Sequence, residues 1–356
     1  MTDNIVTETA TRIFADFADP QTINRARDDG WRGPLWHKLE EAGLTRAWVP
    51  EARGGAGADV ADGFELARIA GRFASPVPIS ETLLAGWLLA QAGLASPAGA
   101  MTVAPCRHRC RITVGADGRL SGRARGVPFA VGTERLAVFA HGAKGGVIAL
   151  VDPAACRLTM GKSVAFEPLA DIEFANVRPL VHADAPSGLD QTALMIMGAV
   201  LRAVETGGAL QALLEMSTRY AQERVAFDKP IGKFQAVQHN LARLAGEASA
   251  AMAAAGSAAE AIATVAGDPG RFDDGIFLEA ASARIRSAEA ATEGAAIAHQ
   301  VHGAIGFTKE HVLHRYTMRL LSWRDDFGNE SQWALDLGNR IAKLGADELW
   351  PFIASR

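Results

Sequence analysis

A long stretch of helical apolar spacing that ends at helix-breaking residues constrains this chain most. Over roughly thirty residues, apolar side chains recur at the spacing of a buried helix; they include Leu194, Leu201, Val204, Leu210, Leu214 and Tyr220. Pro230 and Gly232 are predicted to end that helix, because proline cannot donate a helical hydrogen bond and glycine permits a left-handed turn. A second helix is predicted to start near Phe234. The chain must therefore bury two long helices that meet at a corner, residues 224–238.

The helix corner brings three chemically useful side chains together. Arg224 supplies a guanidinium, Phe227 a ring and Gln235 an amide. An arginine can hold a pyrophosphate in a planar, charge-assisted fork, and a phenyl ring can pack against a purine. The alternative interpretation is a plain helix hairpin with a solvated arginine and a buried phenylalanine. Spacing alone leaves both interpretations open.

Composition favours packed helices and excludes a nucleic-acid partner. The chain has 356 residues, 49% of them hydrophobic and only 7% aromatic, with a formal net charge of -4. Alanine-rich runs such as 248–266 are typical of closely packed helices. A chain with this charge offers no basic field for DNA or RNA.

Apolar runs and cysteines give two further expectations. Runs such as 83–89 are far shorter than the ~20 residues needed to cross a bilayer, and residues 1–20 carry acids. We therefore expect no membrane span and a cytoplasmic location. The three cysteines, Cys106, Cys110 and Cys156, lack the further ligands of a zinc site. We expect no metal, and a β segment around Cys106–Cys110.

The residue pattern changes twice along the chain, from helical spacing to short β-prone runs and back, which predicts three domains. Residues 1–100 read as an N-terminal helical domain, residues 101–183 as a small middle β domain, and residues 184–356 as a C-terminal helical bundle. Four helical stretches are predicted in the bundle, at about 190–225, 234–266, 276–302 and 329–344. The predicted fold class is α+β, mostly helical.

Three motifs carry a resemblance to a known family. They are Arg224-x-x-Phe227-x-x-Pro230-Ile231-x-x-Phe234-Gln235, the run from Gln300 to Glu310, and the N-terminal run from Glu41 to Gly57. Together they resemble motifs of the acyl-CoA dehydrogenase family, and they occur along this chain in the same order as in the family. The resemblance implies that family's fold and FAD as cofactor. It also implies α,β-dehydrogenation of an acyl-CoA thioester in lipid metabolism, with an electron-accepting flavoprotein as a partner.

The resemblance also assigns roles to residues. In the family the flavin spans two subunits, and its adenosine diphosphate end is held by the neighbour's helix corner and glycine loop. By position, Arg224 would bind the pyrophosphate and Phe227 would pack on the adenosine end; backbone would approach at Gln300, Gly303 and Gly306. The sequence departs from the family pattern at Asp228 and Ala304, which replace glycines.

The catalytic base of the family is missing at both of its usual positions. One position falls on Phe327, before Gly328, and the other on Gly198 of the long helix. The remaining candidates are Glu205 and Asp326, together with Asp325 beside it. Alternatively, Glu205 pairs with Arg202 or another cation, and the two aspartates cap the helix that enters at Gly328.

Two other segments complete the sequence-based picture. The family's flavin-ring element is not found in Met101–Arg107, nor a Gly-Ser pair before Gly122. His299 and His302 flank the glycine loop, and we expect such histidines to hydrogen-bond a backbone carbonyl more often than to transfer protons.

The leading hypothesis joins these features. The chain resembles the shorter, partner-type subunits of heterotetrameric acyl-CoA dehydrogenases, which supply the diphosphate end of the flavin site to another chain. A homo-oligomeric flavoenzyme with an unusual base, Glu205 or Asp326, is the second hypothesis. The third is a non-catalytic member that binds CoA ligands or stabilises a partner.

Overall fold

The computed structural model describes residues 5–26, 28–104 and 110–354. The helices in these residues are α1 (Ile5–Phe17), α2 (Pro20–Arg25), α3 (Arg32–Glu41), α4 (Val60–Arg72), α5 (Ile79–Gln91), α6 (Gln191–Glu223), α7 (Gln235–Ala263), α8 (Asp274–His302), α9 (Leu313–Trp323), α10 (Glu330–Leu344) and α11 (Leu349–Ala354). The mostly helical α+β class predicted from the sequence is confirmed.

A mixed sheet of eight strands follows helix α5 in the chain and precedes helix α6. Its strands are β1 (Met101–Ala104), β2 (Ile112–Val114), β3 (Leu120–Pro128), β4 (Arg135–His141), β5 (Gly146–Val151), β6 (Arg157–Lys162), β7 (Pro168–Val177) and β8 (Val181–Asp184). The order is β6-β7-β3-β2-β4-β5-β8, and β1 pairs with β4 in parallel. All neighbours except β1–β4 and β2–β4 are antiparallel.

The long helices α6, α7 and α8 pack against one another, and α9 and α10 pack on α8. Helix α9 is a difference from the sequence-based prediction, which left 303–328 without a helix. Its buried face is formed by Leu313, Tyr316, Leu320 and Trp323. These residues follow helical spacing, so the signal was present in the sequence.

Helix α6 is the central element of the bundle. It is long and apolar enough to cross a membrane by length and composition, but 94% of that apolar window is buried inside the protein. The helix packs on α4, α7 and α8. Glycines permit the closest approach, because a Cβ at Gly208 would overlap the backbone carbonyl of Arg68 on α4. Burial by neighbouring helices accounts for the apolar character of α6.

The helix corner differs in detail from the prediction. Helix α6 ends at Glu223 and not at Pro230, because Arg224 already has extended backbone, with φ -73° and ψ 115°. A two-residue hairpin follows, β9 (Val225–Ala226) with β10 (Lys229–Pro230). Helix α7 then starts at Gln235, as expected. The helix corner is therefore a short hairpin that projects between two helices.

Candidate functional site

The hairpin of the helix corner presents its side chains to solvent. Phe227 is 88% exposed at the hairpin tip, and Arg224 is exposed at its base. Within the described residues, the Arg224 guanidinium has no hydrogen bond or ion pair. The backbone beneath it is fixed, since the Ile231 N–H donates to the Arg224 carbonyl at 2.8 Å. The helix corner thus holds an unpaired cation and an exposed ring on a rigid turn.

The turn geometry explains one departure from the family pattern. Phe227 and Asp228 form the two central positions of the hairpin turn, with φ of 53° and 61°. Positive φ at both positions is the signature of a type I′ turn, in which glycine or asparagine is preferred and aspartate is tolerated. Asp228 keeps the turn at some cost in backbone strain.

Tyr220 joins the helix corner to the glycine loop, residues 303–307, which follows α8. Its ring stacks on His302 with centroids 4.5 Å apart, and its hydroxyl donates to the His302 carbonyl at 3.3 Å. Tyr220 lies one turn before Arg224 on the same helix. Arg224 and Gly303 are therefore held on neighbouring elements that are in direct contact.

The glycine loop contains one exposed glycine and one buried glycine. Gly303 is exposed with φ 63°, and a Cβ there would meet no atom within 4 Å, so its surface is open. Gly306 is buried, and a Cβ there would lie 2.9 Å from Leu313 Cδ2 and 3.0 Å from His302 Cβ. Gly306 is thus required for packing inside the chain, while Gln300 and Gly303 are exposed to solvent.

The two positions at which a catalytic base was sought are in contact with each other. A Cβ placed on Gly198 would overlap the ring of Phe327. Phe327 is buried, and its backbone has φ 53°. The ring therefore fills the space directly over α6 at Gly198. No carboxylate occupies either position, and no room for an acyl chain is left between them.

A buried ion cluster lies beside this contact. Arg202 donates to Glu81, Glu205 and Asp326, with 3.0 Å between its Nε and Asp326 Oδ2. All four side chains are buried, and the guanidinium also lies 6.0 Å from the Phe327 ring centroid. The sequence analysis anticipated an Arg202–Glu205 pair as one alternative but missed Glu81. A lone acid among apolar neighbours at the start of α5 was the available signal.

Both weak base candidates are held inside the cluster. Asp326 binds Arg202 and does not cap a helix, so that alternative is wrong. Helix α10 is capped by Asn329 and Gln332 in a reciprocal capping box. The loop before it is fixed by Arg284, which donates to the carbonyls of Trp323, Asp326 and Gly328. Glu205 and Asp326 are therefore ion-paired on a rigid scaffold.

The cluster carries more acid than base, and this sets its protonation. Three carboxyls face one guanidinium, so the buried charge is not balanced when all are ionised. Burial and, to a lesser extent, nearby Glu81 raise the pKa of Glu205 to about 7 despite the opposing effect of Arg202. Burial also raises the pKa of Glu81. The folded chain therefore retains a proton in this cluster below neutral pH.

This proton predicts a pH-dependent stability. Because the pKa of Glu205 is raised on folding, its contribution is complete below about pH 4.5 and is lost as the pH rises through about 7. The loss is expected to reach about 2–3 kcal/mol. His299, His302, His311 and His314 have pKa values lowered by burial and act in the opposite direction below about pH 6.5.

Urea unfolding of Glu205→Gln beside the parent chain isolates the Glu205 contribution. Between pH 4.5 and pH 8 the stability of the variant relative to the parent should rise by that amount. An exposed control, Glu293→Gln, should show no such trend, since Glu293 forms only a surface pair with Arg243. A pH-independent difference for Glu205→Gln would contradict the assigned proton.

The two histidines beside the glycine loop make structural contacts. The Nδ1 atom of His302 lies 2.8 Å from the Ala298 carbonyl, and the Nε2 atom of His299 lies 3.0 Å from the Thr317 hydroxyl. His302 follows the expectation of a carbonyl partner, whereas His299 uses a hydroxyl. His299 also stacks on Phe307, with ring centroids 4.5 Å apart.

Some sequence-based expectations fall on positions the structure does not describe. Residues 105–109, including Cys106 and the last three residues of the segment inspected for a flavin-ring element, lie outside the described residues. Cys110 and Cys156 are free thiols, and within the described ranges no group of three or more metal-ligating side chains comes together.

Comparison with known proteins places these features in a family. The family model for the acyl-CoA dehydrogenase C-terminal domain matches residues 189–328. Acyl-CoA dehydrogenase IpdE2 of Mycobacterium tuberculosis is 29% identical over 315 residues, covering 88% of each chain.

Two solved structures have the same fold over nearly the whole chain. The ChsE4-ChsE5 complex from Mycobacterium tuberculosis has a TM-score of 0.82 at 22% identity, covering 95% of this chain and 96% of that chain. A variant of the Tcur3481-Tcur3483 steroid ACAD has a TM-score of 0.80 at 26% identity, covering 96% and 98%. The signatures, the fold and the relatives agree: residues 189–328 match the C-terminal domain of the acyl-CoA dehydrogenase family, the chain has that family's fold, and its cofactor is FAD.

Proposed function

We propose that this chain acts as a partner subunit of an oligomeric acyl-CoA dehydrogenase, in which it supplies the diphosphate end of the FAD site to another chain. The observation that carries this proposal is the contact of Phe327 with Gly198. Each residue stands where a family member can carry its base, and together they fill the space between α6 and the loop before α10. Substrate oxidation is then assigned to the partner.

The helix corner fits the adenosine diphosphate end of FAD. The unpaired Arg224 guanidinium can fork onto a pyrophosphate, and the exposed Phe227 ring offers a face to adenine. The open surface at Gly303 admits close approach of a ligand to the backbone. These groups face outward, as a site shared with another subunit requires. When bound, FAD supplies the hydride-accepting chemistry of the reaction.

The partner must provide what this chain lacks. It needs a carboxylate to remove the α proton of the acyl-CoA, an open acyl cavity and the pocket for the flavin ring. A complex of two different chains, ChsE4-ChsE5, and a steroid ACAD are among the solved structures with this fold. They support a hetero-oligomer, dimeric or tetrameric, and a bulky acyl-CoA such as one with a steroid side chain. An electron-transferring flavoprotein would reoxidise the flavin.

Turnover by the chain alone tests the proposal. The purified full-length chain is supplied with FAD and assayed with a series of acyl-CoA substrates. For every substrate, reduction of an artificial electron acceptor should stay at the background rate. The same chain co-expressed with an acyl-CoA dehydrogenase homologue that carries glutamate at the Phe327 position should be active. Turnover by the isolated chain that is lost in Glu205→Gln or Asp326→Asn would instead support an unusual base within this chain.

A further inference from the structure

A large cleft on another side of the glycine loop has no assigned role. It has a volume of about 980 Å³ and lies between the segment before α3, the β6–β7 turn and helix α9. Asn24 ties two of these walls together by donating to the carbonyls of Lys309 and Glu310, at 3.1 and 3.2 Å. The cleft is therefore a preformed space between three parts of the chain.

The cleft is distinct from the helix corner. Its lining includes His299, Gly306 and Phe307 but none of Arg224, Phe227, Gln300 or Gly303. Gly306 is shared only as a buried packing position, as its contacts with His302 and Leu313 show. Occupation of the cleft thus does not depend on the proposed flavin half-site.

Basic side chains line part of the cleft, which we call the arginine wall: Arg32, Lys309, Arg315 and Arg319, with His314 beside them. Two of these charges have acidic partners in the chain. Arg319 Nε lies 2.9 Å from Glu167 Oε1, and Arg32 lies 3.2 Å from Asp29. The remaining carboxylate, Asp28, accepts from the Gly30 N–H at 3.0 Å.

Arg315 is the arginine of this wall that has no acidic partner among the described residues. Its guanidinium has no hydrogen bond or ion pair to any residue that the structure describes, and its Nε is fully buried. Burial and the neighbouring Arg319 lower the pKa of Arg315 to about 10, although Glu167, which pairs with Arg319, acts in the opposite direction. A half-buried arginine beside a second arginine is unfavourable without a counter-charge. The side chain is therefore poised for an anion that enters the cleft.

Aromatic rings also line the cleft, and two of them are exposed. Phe307 is 76% exposed on the glycine loop, and Phe166 is 65% exposed at the β6–β7 turn. Trp31 lies beside them on the segment before α3. Exposed aromatic side chains around a cationic wall offer stacking faces for a planar ring.

We infer that the cleft binds a nucleoside phosphate, with the phosphate on Arg315 and the base against Phe307 and its neighbouring rings. The cleft is large enough for such a ligand, since small-molecule sites span about 300–1,000 Å³. The bound phosphate gives Arg315 the hydrogen-bonded anionic partner that it lacks among the described residues. The ring stacks where the chain exposes large apolar side chains to water.

Equilibrium dialysis of the full chain against labelled ADP tests this inference. Arg315→Gln should weaken ADP binding at least tenfold, and Phe307→Ala should weaken ADP binding while leaving inorganic pyrophosphate binding unchanged. Arg219→Gln removes an exposed arginine outside both the cleft and the helix corner, and it should change ADP affinity less than twofold. Without ligand, Arg315→Gln should melt at the same or a higher temperature than the parent chain, which separates lost binding from lost folding.

Three results would overturn the inference. They are no ADP binding by the parent chain at millimolar concentration, equal ADP affinity in Arg315→Gln, and loss of ADP binding in Arg224→Gln alone. The last result would place the nucleotide at the helix corner and so leave the proposed flavin half-site standing. Equal affinities for ADP and pyrophosphate, unaffected by Phe307→Ala, would likewise exclude recognition of the base.

Discussion

Arg202→Met is expected to destabilise the chain by about 3–5 kcal/mol, because it leaves buried carboxylates without their cation. Glu81, Glu205 and Asp326 all bind this one guanidinium, and all are buried. The three acids come from α5, α6 and the loop before α10. Arg202→Met therefore removes ion pairs that hold these three elements together. Urea unfolding at pH 8, where Glu205 is ionised in the parent chain, measures the effect most clearly.

A surface pair provides the control for Arg202→Met. Arg243 contacts Glu293 at 3.1 Å with both side chains half or more exposed, so Arg243→Met should cost less than about 1 kcal/mol. Adding Glu205→Gln to Arg202→Met should recover part of the loss, since it removes one of the stranded charges. A cost for Arg202→Met no larger than for the surface control would show that the cluster is not a unit.

Arg224→Gln is expected to weaken FAD retention by about 10- to 100-fold in the assembled oligomer, the effect of removing charge-assisted hydrogen bonds to a phosphate. The substitution should leave the stability of the chain unchanged, because the guanidinium has no partner among residues 5–26, 28–104 and 110–354. FAD content after dialysis of the co-expressed complex is the measurement. Arg219→Gln, an exposed arginine on the same helix, is the matched control. Equal FAD loss in both variants would remove Arg224 from the site.

Much of the fold could be predicted from periodicity and motifs. The long apolar spacing of α6 and the alanine-rich spacing of α7 and α8 give helices at the expected places, because buried helices repeat every 3.6 residues. The β-prone runs before Val151 became strands β2, β4 and β5. Their pairing, including the parallel contact of β1 with β4, depends on residues far apart in the sequence and had no local signal.

The helix corner shows where local reasoning reached its limit. Proline and glycine correctly marked a break, but the helix ended at Glu223 because the hairpin at Phe227 and Asp228 competes with further helical turns. Two adjacent residues with positive φ, neither of them glycine, have little sequence signature. The sequence spacing also could not predict that Phe227 is exposed, because a buried phenylalanine can have the same spacing.

The filled base positions could be found only in part. Alignment to the family motifs showed that Gly198 and Phe327 lack a carboxylate, but nothing in the sequence showed that they touch. Their separation along the chain is more than a hundred residues, and the contact depends on how the loop before α10 folds over α6. Arg284 fixes that loop by donating hydrogen bonds to three of its carbonyls. No sequence motif predicts this role.

The visible absorption spectrum of the full chain, purified alone and incubated with excess FAD before desalting, tests the central claim most directly. Oxidised flavin has absorption bands at about 370 and about 450 nm. The account predicts a colourless protein by itself and a yellow complex after co-expression with a partner that supplies the ring pocket and the base. A stoichiometric flavin spectrum from the chain alone would contradict it, because such a chain would complete its own site.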